Sequence, residues 1–104
     1  MADMVTPKIL SKTEITAELK NLPGWIHKND KIRKEFSLKD FINAINFIDL
    51  LAPLFEKKGH HPDIHIFYNK IIFELQRYDS GGKVTDWDIE TAHTIEENYK
   101  NRTG

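Results

Sequence analysis

Two adjacent histidines, His60 and His61, stand in the run Glu56-Lys57-Lys58-Gly59-His60-His61-Pro62-Asp63. Imidazole is the side chain whose reference pKa, about 6.5, lies closest to neutral pH, so a neighbouring pair can give and take protons in one pocket. Glu56 sits four residues before His60, at the end of a long apolar run with helical character. The helix dipole disfavours a carboxylate there. Its presence points to a local purpose: orienting an imidazole and favouring its charged form. Such a set suits general acid–base chemistry, worth about 10²–10⁴ in rate. His61, Asp63 and His65 alternate, share one strand face and form a pattern that would also suit zinc. A cross-strand ion pair of His65 with Glu74 explains that alternation more simply, so no metal is expected. His27 and His93 read as a strand residue and a surface helix residue.

The elements that must hold these histidines are legible on either side. Ser11-Lys12-Thr13-Glu14 is a capping box that opens a first helix carrying Ile15, Leu19 and Leu22, and Pro23-Gly24 stops it. Trp25-Ile26-His27 and Lys31 to Phe36 form a short hairpin around the polar turn Asn29-Asp30. Ser37 is the expected cap of a long second helix ending near Lys58, perturbed in its last turns by Pro53 and stopped by Gly59. This helix is apolar on more than one stripe, so one side must pack on the sheet and another on a second copy of the chain.

Asp63 to Tyr68 and Ile71 to Tyr78 form a second hairpin around Asn69-Lys70. That loop pairs Tyr68 with Ile71, Ile66 with Phe73 and Ile64 with Leu75 on an apolar face, and it sets His61 across from Tyr78. Residues 79–83 are a loop. Thr85 opens a last helix with Asp86 and Asp88 in its first turn. The order predicts a single α+β domain over residues 1–104: a four-stranded antiparallel sheet with three helices on one face, α-β-β-α-β-β-α.

Composition narrows the function classes. The 104 residues carry 15 basic and 16 acidic side chains, so no global field draws the chain to nucleic acid or an anionic membrane. With no cysteine, disulfide scaffolds, thiolate metal sites and thiol nucleophiles are excluded. No stretch approaches the ~20 apolar residues of a membrane span, and a cytoplasmic location is expected.

Taken together, Glu56, His60-His61-Pro62, Tyr68-Asn69-Lys70 and Asp88-Ile89 resemble the pterin-4a-carbinolamine dehydratase family over about Trp25 to Ala92. The resemblance implies dehydration of a 4a-hydroxytetrahydropterin to quinonoid dihydropterin without metal or organic cofactor. It implies dimers or tetramers, in which strands extend a sheet between subunits and the long helix joins a bundle. Carried onto this chain, it makes His60 and His61 the paired active-site histidines and Glu56 their acidic support. It puts Asp88 and Trp25 near the pocket, with Pro62 and Asp63 beside the histidines as substrate support. Read without the resemblance, Asp88 is equally a first-turn acid and Trp25 a core residue. Tyr78 departs from the pattern, standing where the family usually has a third histidine or sometimes a tryptophan. A phenol, with a reference pKa of about 10, is a poor base at neutral pH. Tyr78 is therefore expected to polarise the leaving hydroxyl in a working but slower enzyme.

The expectation is a cofactor-independent hydro-lyase, a homodimer or homotetramer, acting in pterin recycling on a small-molecule pterin. Its rival is a non-catalytic pterin-binding or dimerisation module of the coactivator kind, as one animal member of the family serves a homeodomain transcription factor. A variant of that rival is a role in molybdopterin metabolism.

Overall fold

The computed structural model describes residues 6–77 and 81–102. Ser11 caps the first helix, α1 (Lys12–Leu19), and the reciprocal bonds of its capping box are both present: the Glu14 N–H donates to Ser11 Oγ, and Ser11 N–H to Glu14 Oε1. Two strands follow, β1 (Ile26–Lys28) and β2 (Lys31–Ser37), joined by Asn29 and Asp30. Both turn residues lie at positive φ, the conformation a two-residue hairpin turn of matching twist requires. The long helix is α2 (Phe41–Lys58), then come β3 (Asp63–Phe67), β4 (Lys70–Leu75) and α3 (Asp86–Asn101). The sheet is antiparallel in the order β1-β2-β4-β3, which leaves β3 at an edge. Among the described residues the α+β architecture and the element order match the expectation.

Two local readings are corrected. Ser37 is the last residue of β2, and the cap of α2 is Asp40, whose side chain accepts from the Asn43 N–H at 2.9 Å. The backbone between them is tied to the far hairpin: the Leu38 N–H donates to the Asn69 carbonyl at 2.8 Å, and Asn69 Nδ2 donates to the Leu38 carbonyl at 2.9 Å. This clamp also moves the second turn. Its two loop residues are Tyr68 and Asn69, with Tyr68 at φ 56°, and Lys70 is already in the sheet, paired with both Phe67 and Ser37. The register is therefore Ile66↔Ile71, Ile64↔Phe73, His65↔Ile72 and Asp63↔Glu74, two residues from the predicted pairing. A shift of two preserves every side chain's face, because strands alternate with period two. Continuing the ladder brings His61 toward Gln76 rather than Tyr78, and Tyr78 lies outside the described residues together with Asp79 and Ser80 of the following loop.

The core forms between the inner sheet face and the helices. Ile32, Phe36, Ile71, Phe73 and Leu75 meet Ala44, Phe47, Leu51 and Phe55 of α2 and Ile89, Ala92 and Ile95 of α3. Phe36 is its hub, edge-on to Trp25, Phe73 and Tyr99. The opposite side of α2 leaves Phe41, Ile42, Leu50 and Leu54 exposed, and edge strand β3 exposes Ile64, Ile66 and Phe67. Among the described residues no helix is long and apolar enough to cross a membrane.

Candidate active site

The histidine pair lies where α2 ends. Gly59, at φ 69°, closes the helix in the left-handed conformation, and its N–H returns to the Phe55 carbonyl. The chain then leaves the helix in an irregular stretch, and the two rings part. His60 is 4% exposed and turned inward toward α3, whereas the side chain of His61 is 60% exposed. Each imidazole meets its own carboxylate: His60 Nε2 contacts Asp88 Oδ1, and His61 Nε2 lies 2.7 Å from Glu56 Oε1. The last turn of α2 thus supports His61, while the support of His60 comes from 28 residues further along the chain.

Asp88 is fully buried one turn into α3, where the helix dipole favours a negative charge. Its Oδ2 accepts from the Thr85 N–H at 2.7 Å and from the Thr85 hydroxyl at 3.1 Å. With Oδ2 accepting two donors, Oδ1 is left to accept from His60 Nε2–H, and Nδ1 becomes the nitrogen that His60 can offer to a ligand. Trp87 stands edge-on to His60, at 6.2 Å between ring centroids, and the Arg77 guanidinium covers the Trp87 ring at 4.4 Å. His60 and His61 line a cleft of about 300 Å³ together with Gly59, Pro62, Asp63, Gln76 and Arg77. That volume is at the lower end of small-ligand pockets, about 300–1,000 Å³. Two larger depressions lie elsewhere. One, of about 350 Å³, runs along Leu54, Phe55 and Thr91; the other, of about 810 Å³, lies along α3 beside His93 and Glu96. Neither gathers two histidines with their carboxylates as the cleft at the end of α2 does.

Of the residues singled out in the sequence, His60, His61, Pro62 and Asp63 line the cleft, and Glu56 and Asp88 hold its two imidazoles. Trp25 is elsewhere: its ring is packed in the core against Phe36, and its Nε1–H donates to Glu96 Oε2, which also accepts from Lys34. The aromatic beside His60 is Trp87. Thr85, Trp87, Gln76 and Arg77 were not anticipated as site residues. The Thr85-x-x-Asp88 spacing is that of a capping box and was readable as a clamp on Asp88. His65 does meet Glu74, at 3.2 Å, but diagonally, since its direct partner across the ladder is Ile72. Lys31 and Arg33 reach the same carboxylate. Among the described residues no three His, Asp or Glu side chains converge as a metal site.

The fold and the paired histidine–carboxylate contacts define a small α+β protein with a candidate acid–base cleft. The sequence profile described as Pterin 4 alpha carbinolamine dehydratase matches residues 8–98. A protein named "Putative pterin-4-alpha-carbinolamine dehydratase" from Sulfurisphaera tokodaii is 42% identical over 90 residues, covering 86% of this chain and 96% of its own. One of the same name from Nostoc punctiforme is 43% identical over 88 residues, covering 85% and 94%. The crystal structure of a transcriptional coactivator/pterin dehydratase from Brucella melitensis superposes with a TM-score of 0.83 at 30% identity, over 88% of this chain and 99% of that one. A pterin dehydratase-like protein identified as a RuBisCO assembly factor in the alpha-carboxysome shares the fold, with a TM-score of 0.59 at 20% identity over 75% of this chain and 89% of that one. The chain belongs to the pterin-4-alpha-carbinolamine dehydratase family.

Proposed function

We propose that this protein is a hydro-lyase that dehydrates a 4a-hydroxytetrahydropterin to quinonoid dihydropterin, in pterin recycling. The observation that carries the reading is the adjacent histidine pair in one cleft, each ring backed by a separate carboxylate. The reaction needs two proton transfers. The C4a–O bond breaks as the hydroxyl takes a proton and leaves as water, while the N5 lone pair forms the N5=C4a double bond. The N5 proton then departs to a base. His61, exposed to solvent and with its ring held by Glu56 at 2.7 Å, is assigned the proton for the leaving hydroxyl. His60, held by Asp88, presents Nδ1 to take the N5 proton. The push from N5 needs no Lewis acid. Tyr78 is assigned a supporting hydrogen bond to the hydroxyl.

The exposed apolar residues of α2 and edge strand β3 support assembly as a homodimer or homotetramer. They also favour the second reading, a dimerisation module of the coactivator kind; the relative from Brucella melitensis is described as a transcriptional coactivator as well as a pterin dehydratase.

The deciding experiment adds the protein to freshly generated 4a-carbinolamine and follows the appearance of quinonoid dihydropterin. The proposal expects acceleration by the wild type, losses of about 10²–10⁴ in His60→Ala and His61→Ala, and a gain in Tyr78→His. A wild-type rate equal to the spontaneous one supports the non-catalytic reading.

A further inference from the structure

The start of α3 is held from outside by the segment that precedes α1. Ile9 lies across from Thr85 in an antiparallel bridge. On either side, the Leu10 N–H donates to the Val84 carbonyl and the Asp86 N–H donates to the Lys8 carbonyl, both at 3.0 Å. Lys8 N–H closes the bracket by donating to Asp86 Oδ1 at 2.8 Å. Thr85 is fully buried inside it. Both donors on Asp88 Oδ2 come from this one residue, and the other oxygen of Asp88 meets His60.

We infer that Thr85 is a positioning residue for His60: Thr85, pinned by residues 8–10, fixes the Asp88 carboxylate and through it the orientation and tautomer of the imidazole. A carboxylate held at one oxygen by two donors, the backbone N–H and the hydroxyl of one fixed residue, has one orientation. With a single donor it can swing away, which loosens its hold on the His60 Nε2–H and lets the ring sample the other tautomer. The cleft histidine is thereby coupled to a chain segment about 50 residues earlier, as the Lys8 and His60 numbering shows. The inference rests on the proposed acid–base role of His60, but its primary readout does not require activity.

The test uses the full chain and the variants Thr85→Val, which removes the hydroxyl donor, and Thr85→Ser, which keeps it. Long-range ¹⁵N–¹H spectra report which His60 nitrogen carries the proton. The wild type and Thr85→Ser are expected to show Nε2–H, and Thr85→Val a mixture with Nδ1–H. Loss of one hydrogen bond to a charged group lowers kcat about tenfold in Thr85→Val, with KM within about twofold. Should Thr85→Val not fold, Asp86→Ala removes the Lys8 N–H bond, one of the three that bracket Thr85, leaves both Thr85–Asp88 bonds in place, and is expected to shift the His60 signals in the same direction by less. An unchanged His60 spectrum in the folded variants, or a Thr85→Ser that behaves like Thr85→Val, overturns the inference. A shifted tautomer in a protein inactive on 4a-carbinolamine upholds the positioning and overturns the dehydratase reading alone.

Discussion

Asp88→Asn replaces an oxygen that can only accept with a group that can only donate, at a place where three donors converge. Two of them, the Thr85 N–H and hydroxyl, meet Oδ2, and the third, His60 Nε2–H, meets Oδ1. The amide has two orientations. With its NH₂ toward Thr85 it faces a backbone N–H that cannot rotate away, leaving buried donors unsatisfied at a cost of about 1–3 kcal/mol. With its NH₂ toward His60 it keeps both Thr85 bonds, but Nε2 must then accept and the imidazole proton moves to Nδ1. The second orientation is favoured by that margin, roughly 10- to 100-fold. His60 would then present a proton where a lone pair is required. The expected loss of kcat is about 10²–10⁴, against a loss of only about 1–3 kcal/mol in folding stability, since the site keeps its shape and loses one charge-assisted bond. The assay is dehydration of fresh 4a-carbinolamine, run beside a denaturant melt and a long-range ¹⁵N–¹H spectrum. A folded Asp88→Asn that keeps Nε2–H, or that turns over within about twofold of wild type, refutes the reasoning.

Three further outcomes are expected. Gly59→Ala places its Cβ in open space, so the cost is that of the left-handed backbone alone, about 1–2 kcal/mol by chemical denaturation; a larger loss would mean that the turn into His60 depends on more than this dihedral. Burial pushes the Glu74 carboxyl up, but the hydrogen bonds from His65, Lys31 and Arg33 together with the Lys31 charge outweigh it and hold the group below its ordinary 4.5. A depressed folded value gives stability that is present above the unfolded value and lost as the pH falls through the folded one. Glu74→Gln should therefore be less stable than wild type near neutral pH, by about 1 kcal/mol, with the gap closing below about pH 4; a gap that is constant with pH would contradict this. Finally, if the proposed oligomer forms through these surfaces, Leu50→Glu on the exposed side of α2, or Phe67→Lys on β3, should shift sedimentation toward a smaller species with the helical content unchanged, and an unaltered mass would refute that role for them.

How far the sequence reached can be judged residue by residue. The Ser11–Glu14 box, the Gly59 stop, the start of α3 at Thr85 and the inward face of β4, with Ile71, Phe73 and Leu75, were all legible, whereas Ile64 and Ile66, read onto the same core face, stay exposed on edge strand β3. Each depends on hydrogen bonds or periodicities that close within a few residues, so neighbouring side chains suffice to specify them. Glu56 beside an imidazole belongs to the same class, although its spacing pointed to His60 and the ring it meets is His61, five residues along. What escaped was set by contacts across the fold. The clamp between Leu38 and Asn69 moved the second turn by one residue and the ladder by two. Trp25 lies in the core against Phe36, as its residue type alone suggested and the resemblance did not, and Trp87 took the place beside His60.

The meeting of His60 with Asp88 belongs to that second class. A sequence can announce two protonatable rings and a nearby acid, because residue type and local spacing carry that much. Which carboxylate faces the buried ring, and which nitrogen is left for the cleft, was decided only when the end of α2 packed against the first turn of α3. The reason is geometric: a hydrogen bond acts over about 3 Å, and the partners 28 residues apart come within that reach through the folded core alone.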